Sequence, residues 1–72
     1  MARPPVLNAV REVRLRKGMT QERLAELTGL ARQSIISIEK GRFLPTIETA
    51  LRLGEALGAA VEELFWLKET DR

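Results

Sequence analysis

Two neighbouring side chains, Arg32 and Gln33, carry the most specific chemistry in this sequence of 72 residues. A guanidinium can pair with both O6 and N7 of guanine, and a carboxamide with N6 and N7 of adenine. Each pairing is worth roughly 1–3 kcal/mol of discrimination between bases. Ser37 adds a hydroxyl four residues on, although a mid-helix serine can instead bond its own backbone. Ile36 either packs on thymine methyl groups or stands as an isolated exposed aliphatic. The groups that catalysis usually needs are missing, since the sequence has no His, no Cys and no Tyr. Ser34, Ser37 and the threonines therefore lack any evident base to activate them, and the chain is not expected to be an enzyme. The same absences remove disulfides and the usual zinc sites, so neither a metal nor a cofactor is expected.

To reach base edges together, Arg32, Gln33, Ile36 and Ser37 must share the outer side of a helix whose inner side is Ile35 and Ile38. Apolar residues recur throughout at spacings of three and four, broken by glycines, and strand signals are weak. The sequence reads as five short helices. Leu7, Val10 and Val13 form the stripe of the first, which stops at Gly18 after Arg16 and Lys17. Thr20 caps a second with Glu22 in its first turn and Leu24, Ala25 and Leu27 facing inward, ending at Gly29. Leu30 and Ala31 alone separate that stop from the third helix, which begins at Arg32 and ends at Gly41. Arg42 to Pro45 is a loop. Thr46 then opens a fourth helix with Ile47, Ala50, Leu51, Leu53 and Leu57 buried, closing at Gly58, and a fifth covers about residues 61–65. Gly54, inside the fourth helix, costs about 1 kcal/mol against Ala; it either permits a close approach by a neighbour or is a tolerated imperfection.

A chain this short buries only roughly 60% of its unfolded surface, so one domain with a marginal core is expected. Charges interrupt every apolar run, which excludes a membrane span. The absence of Cys and of a basic-then-apolar opening segment fits a cytoplasmic protein. The formal charge of +2 hides an asymmetry. Residues 1–42 hold nine basic and four acidic side chains, a net of +5, whereas residues 43–72 hold three basic and six acidic, a net of −3. One half is thus suited to a polyanion and the other kept from it, unless the charges simply solvate a mixed surface.

Gly18-Met19-Thr20-Gln21, Leu24-Ala25, Gly29, Arg32-Gln33-Ser34-Ile35, Ile38-Glu39, Gly41, Pro45-Thr46 and Ala56-Leu57-Gly58 resemble the lambda-repressor-like, XRE or Cro-type, helix-turn-helix family. The resemblance spans about residues 10–65. It implies a compact all-α fold of five helices in which residues 20–41 form the helix-turn-helix, binding to operator DNA, and regulation of transcription, mostly as a dimer. Gln21 stands where the family's Gln contacts the DNA backbone, at a helix start whose free N–H groups suit a phosphate. Arg14 and Glu39 stand where the family has a partly buried ion pair that also points the Arg toward a phosphate. Lys40 and Arg42 flank Gly41 and either touch phosphates across the groove or are merely solvated. The sequence departs from the family at Ala31 and Ala60, which cannot cap the third and fifth helices, and at the apolar Ile36 and Leu15.

Phe65-Trp66-Leu67 is the most apolar triplet left over. It either folds back to finish the core or forms a dimer seam, with residues 65–69 extended across a two-fold axis; Leu15 either extends that seam or is incidental. The expected organisation is an arm at residues 1–5, marked by Pro4 and Pro5, a DNA-binding domain at 6–65, and a tail at 66–72 that is a candidate dimerisation segment. The leading expectation is a repressor reading a pseudo-palindrome in double-stranded DNA as a homodimer. The alternative is an antitoxin-type module that binds a protein partner and regulates its own operon.

Overall fold

The computed structural model describes residues 6–69; the proposed arm at 1–5 and the end of the tail at 70–72 lie outside the described residues. Five helices run in order: α1 (Val10–Arg16), α2 (Gln21–Thr28), α3 (Arg32–Glu39), α4 (Ile47–Leu57) and α5 (Val61–Leu64). Two three-residue strands, β1 (Val6–Asn8) and β2 (Phe65–Leu67), pair antiparallel and bring the two ends of the domain together. The core is a single cluster of Val10, Val13, Leu24, Ala25, Ile35, Ile38, Leu53, Leu57 and Leu64. No helix among the described residues is long and apolar enough to cross a membrane.

The first helix starts later than its stripe suggested. Leu7 lies in β1 opposite Trp66, because Asn8 intervenes. Its Oδ1 accepts from the Val10 N–H at 3.1 Å while its Nδ2 donates to the Ile38 carbonyl at 3.0 Å. An Asx-type turn of this kind supplies the missing acceptor at a helix start and favours a break before it. The Ala9 N–H then donates to the Leu64 carbonyl at 2.9 Å, which ties α1 to the end of α5.

Besides Leu7, three residues expected in the core are on the surface. In α2 the inward stripe is Leu24, Ala25 and Thr28, and Leu27, about 100° round the axis from its centre, is exposed. Thr28 joins the core in its place, its hydroxyl satisfied by the Leu24 carbonyl at 2.8 Å. In α4 the stripe is Leu53, Gly54 and Leu57. Leu51 lies more than about 100° from it and is 58% exposed, and Ile47 in the first turn is 80% exposed.

Capping follows the side chains available. Thr20 and Thr46 hydroxyls accept from the Arg23 and Thr49 N–H groups, each at 3.0 Å. Ala31 leaves α3 without a side-chain cap. At α5 the Glu63 carboxylate reaches back to the Ala60 N–H at 2.8 Å, so half of a reciprocal capping arrangement survives where Ala60 has no acceptor to offer.

Gly54 permits a close approach. A Cβ there would lie 2.7 Å from the Ala59 carbonyl oxygen, which belongs to the turn that carries the chain from α4 into α5. Gly54→Ala is therefore expected to destabilise the fold by about 1–3 kcal/mol, against the roughly 1 kcal/mol that alanine normally gains in a helix. Urea unfolding followed by circular dichroism checks this; an unchanged or raised midpoint would show that the turn relaxes freely.

Candidate nucleic-acid interface

Helices α2 and α3 meet across three residues. Gly29 adopts φ of +73°, a conformation costly for any residue with a Cβ, and the Leu30 N–H closes the turn on the Ala25 carbonyl at 3.1 Å. Ile35 and Ile38 bury the inner side of α3. Arg32 and Gln33 stand exposed at its first turn, while Ile36 and Ser37 are half-buried. The outer side thus carries the four residues expected there, with Ile36 less open than its spacing suggested. Among the described residues the Ser37 hydroxyl makes no hydrogen bond to its own helix, so it is not consumed in the way a mid-helix serine often is. Lys40 and Arg42 are exposed on either side of Gly41. Helix α3 ends there through the Arg42 N–H on the Ser37 carbonyl at 3.0 Å.

Behind this surface lies a charged cluster. Arg14 Nε donates to Glu39 Oε2 at 2.6 Å, Nη2 to Glu39 Oε1 at 3.3 Å, and Nη1 to the Met19 carbonyl at 2.8 Å. The two side chains are only 7% and 3% exposed. Gln21 Nε2 donates to Glu39 Oε1 at 3.1 Å, so one carboxylate gathers α1, α2 and α3. Two consequences follow for the expected phosphate contacts. Gln21 still has a second amide hydrogen to offer, as its group carries two. Arg14 is engaged through all three of its nitrogens and presents little surface of its own, which makes it a strut for the surface more than a part of it.

Three further residues belong to this region. Phe43, left in a loop by its surroundings, joins Gln33, Ser34, Ser37 and Arg42 around a shallow concavity beside α3. Glu22 lies with its Oε2 3.3 Å from Arg32 Nε; its place in the first turn of α2 had suggested only a dipole interaction. The Met19 carbonyl, a backbone group, could be found only from the fold.

Residues 10–64 match the family described as Helix-turn-helix, HTH_3. The chain is 42% identical over 62 residues, 86% of its length and 94% of the relative's, to an uncharacterized HTH-type transcriptional regulator, YgzD, of Bacillus subtilis. It is 48% identical over 61 residues, 83% of its length and 88% of the relative's, to an uncharacterized HTH-type transcriptional regulator of Methanothermobacter thermautotrophicus. Among solved structures it resembles the restriction-modification controller protein C.AhdI of Aeromonas hydrophila, with a TM-score of 0.72 and 37% identity over 75% of this chain and 82% of that one. It also resembles the clp gene regulator ClgR of Corynebacterium glutamicum, with a TM-score of 0.73 and 33% identity over 76% of this chain and 58% of that one.

The buried pair gives a direct expectation. Glu39→Ala strands the Arg14 charge and should cost about 3–5 kcal/mol, whereas replacing both residues with apolar ones of similar size should cost far less. Thermal unfolding of the two variants measures the difference. A loss below about 1 kcal/mol for Glu39→Ala would match an exposed pair and would deny this one its locking role.

Proposed function

The chain belongs to the helix-turn-helix family of DNA-binding transcriptional regulators, and on that premise we propose that it is a repressor which reads a pseudo-palindromic operator in double-stranded DNA as a homodimer. The observation that carries the reading is the outer side of α3: Arg32 and Gln33 are exposed at the first turn of a helix held to the body by its opposite side. The N-terminal residues of such a helix reach deepest into a major groove. Arg32 and Gln33 read bases, with Ser37 and Ile36 lower on the same side. Gln21, Lys40 and Arg42 hold phosphates around them, and Arg14 acts through Glu39 and Gln21. The excess of basic residues in the half of the chain that carries this surface supports the same orientation. Occupying an operator is enough to repress, because a bound dimer excludes other proteins from the same groove.

A pseudo-palindrome requires two copies, and uncovered apolar surface supports a dimer. Phe65 is half-buried against the core, and β2 already pairs with β1 of its own chain. The first residue of the C-terminal triplet thus finishes the core, while Trp66 and the 71% exposed Leu67 are left uncovered. A second apolar face lies on α4, where Ile47 and Leu51 are exposed beside Leu44 of the preceding loop. Grooves run on both sides of the Ile47–Leu51 ridge, one lined by Glu48, Arg52 and Glu55, the other by Ala50, Val61 and Glu62. A ridge between grooves can pack against its own copy across a two-fold axis. We therefore place the main seam on α4, with Trp66 and Leu67 as a secondary contact.

Selection of bound sequences from a random duplex library tests the reading. A two-fold motif should emerge, and affinity should fall with salt at a slope of about −0.9 per phosphate neutralised. Gln33→Ala should relax preference at one base position, and Lys40→Ala should weaken all sequences alike. Absence of any enriched motif would refute sequence-specific binding. For assembly, sedimentation of Ile47→Asp/Leu51→Asp should show a folded monomer. If that variant stays dimeric while Trp66→Asp/Leu67→Asp does not, the seam lies on the C-terminal strand.

A further inference from the structure

Arg32 is not free on the surface that meets DNA. Its Nε lies 3.3 Å from Glu22 Oε2, which links the first turn of α3 to the first turn of α2. An acidic residue in a first turn is favoured by the helix dipole, and that alone would account for a carboxylate in α2. It does not account for the engagement of Arg32, nor for a negative charge that is 67% exposed next to Gln21, where a phosphate is expected.

We infer that Glu22 is a positioning residue for base recognition, holding Arg32 by its Nε so that its terminal amino groups are kept for a guanine and away from the phosphates. The inference rests on the reading of Arg32 as a base contact. Three observations support it. The first is which nitrogen is engaged. The ion pair makes its closest approach at Nε, at 3.3 Å, and among the described residues no hydrogen bond takes up Nη1 or Nη2 of Arg32. Those two amino groups can approach the O6 and N7 acceptors of guanine end-on as a pair.

The second observation is charge. An unrestrained arginine beside a duplex can satisfy itself on a phosphate of any sequence, which adds affinity without information. A carboxylate next to the guanidinium repels the phosphates and offsets the arginine's own attraction to them. Sequence-independent binding is weakened, and what remains favours the one site where both amino groups are paired. The third is rigidity. Glu22 and Arg32 sit on helices joined by a closed turn and by the contacts of Gln21 and Glu39, so their separation is set by the scaffold and not by a mobile loop. Both side chains are more than half exposed, so the pair adds little to folding stability. Its effect must appear in DNA binding.

The test compares the full chain with its variants on three duplexes: the selected operator, the operator changed at the base pair whose preference Arg32→Ala abolishes, and an unrelated sequence. Glu22→Gln should bind the unrelated duplex about two- to five-fold more tightly at low salt, and its discrimination at the Arg32 position should fall by a similar factor with no change in unfolding midpoint. Glu22→Asp keeps the charge but withdraws the carboxylate by one methylene. It should keep weak binding to the unrelated duplex and still lose part of the discrimination. In an Arg32→Ala background, Glu22→Gln should leave discrimination unchanged, as expected of two residues acting as one unit. Equal tightening on all three duplexes would overturn the inference, since Glu22 would then be only a repulsive charge. So would a loss of discrimination that persists without Arg32. If Arg32→Ala alters preference at no position, the base-reading assignment itself fails and the inference goes with it.

Discussion

Burial of the Arg14–Glu39 pair sets the position of the outer side of α3 no less firmly than the apolar core does. Two charges removed from water are costly unless each is matched closely. Here Arg14 is matched through three nitrogens, and Glu39 receives Arg14 and Gln21 together. Helix α3 is only eight residues long, too short to be stable alone, and it has no side-chain cap at its start. Ile35 and Ile38 hold it down on one side but leave it some freedom to slide or roll. A buried carboxylate in its last turn, fixed to α1 and α2, removes that freedom in a way that aliphatic contacts of similar area would not.

The same economy of means is seen at the ends of the domain. With no disulfide to restrain it, the chain closes through Asn8, whose side chain starts α1 and grips the last turn of α3, and through the pairing of β1 with β2. A two-stranded ribbon is at best marginal in isolation. Here it is supported by Phe65 against the core and by the Ala9 to Leu64 backbone bond. The basic first half of the sequence carries α2 and α3, and the acidic second half carries α4 and the apolar face on which a partner copy is proposed to sit.

The five helices were legible because their signals are local. Threonines at the starts of α2 and α4 and glycines at positive φ after α1, α2 and α4 mark boundaries without knowledge of the rest of the chain. Arg32 and Gln33 could be placed on the outer side because the spacing of Ile35 and Ile38 fixes the inner side of α3, whereas the Arg14–Glu39 pair, on helices far apart in sequence, was implied only by the family resemblance. The extended C-terminal segment was expected, though as a contact across a two-fold axis and not as the partner of β1; β1 escaped notice, since three residues give no alternation to detect and Leu7 sits at a helical interval from Val10. Leu27, Ile47 and Leu51 misled for a related reason. Apolar character says that a residue avoids water, but not whether its own chain or another one covers it. Glu22 and Phe43 were overlooked as parts of the site because their neighbours there, Arg32 and Ser37, are several residues away along the chain and close only across a turn.

Glu22 bears on how so small a domain could discriminate between sequences. The outer side of α3 offers few groups able to read a base, and every arginine or lysine around them gains affinity from any duplex. Specificity is a difference between affinities, and it can be raised by weakening the wrong complex as well as by improving the right one. On the proposed reading, a carboxylate beside Arg32 acts on the first term, and a scaffold fixed by a buried ion pair acts on the second. The two acidic residues differ accordingly in exposure: Glu39 is nearly inaccessible and acts through geometry, whereas Glu22 is open to solvent and, on the inference above, acts through its charge beside Arg32. On the reading proposed above, negative charge placed beside the base-reading arginine raises selectivity without adding a contact.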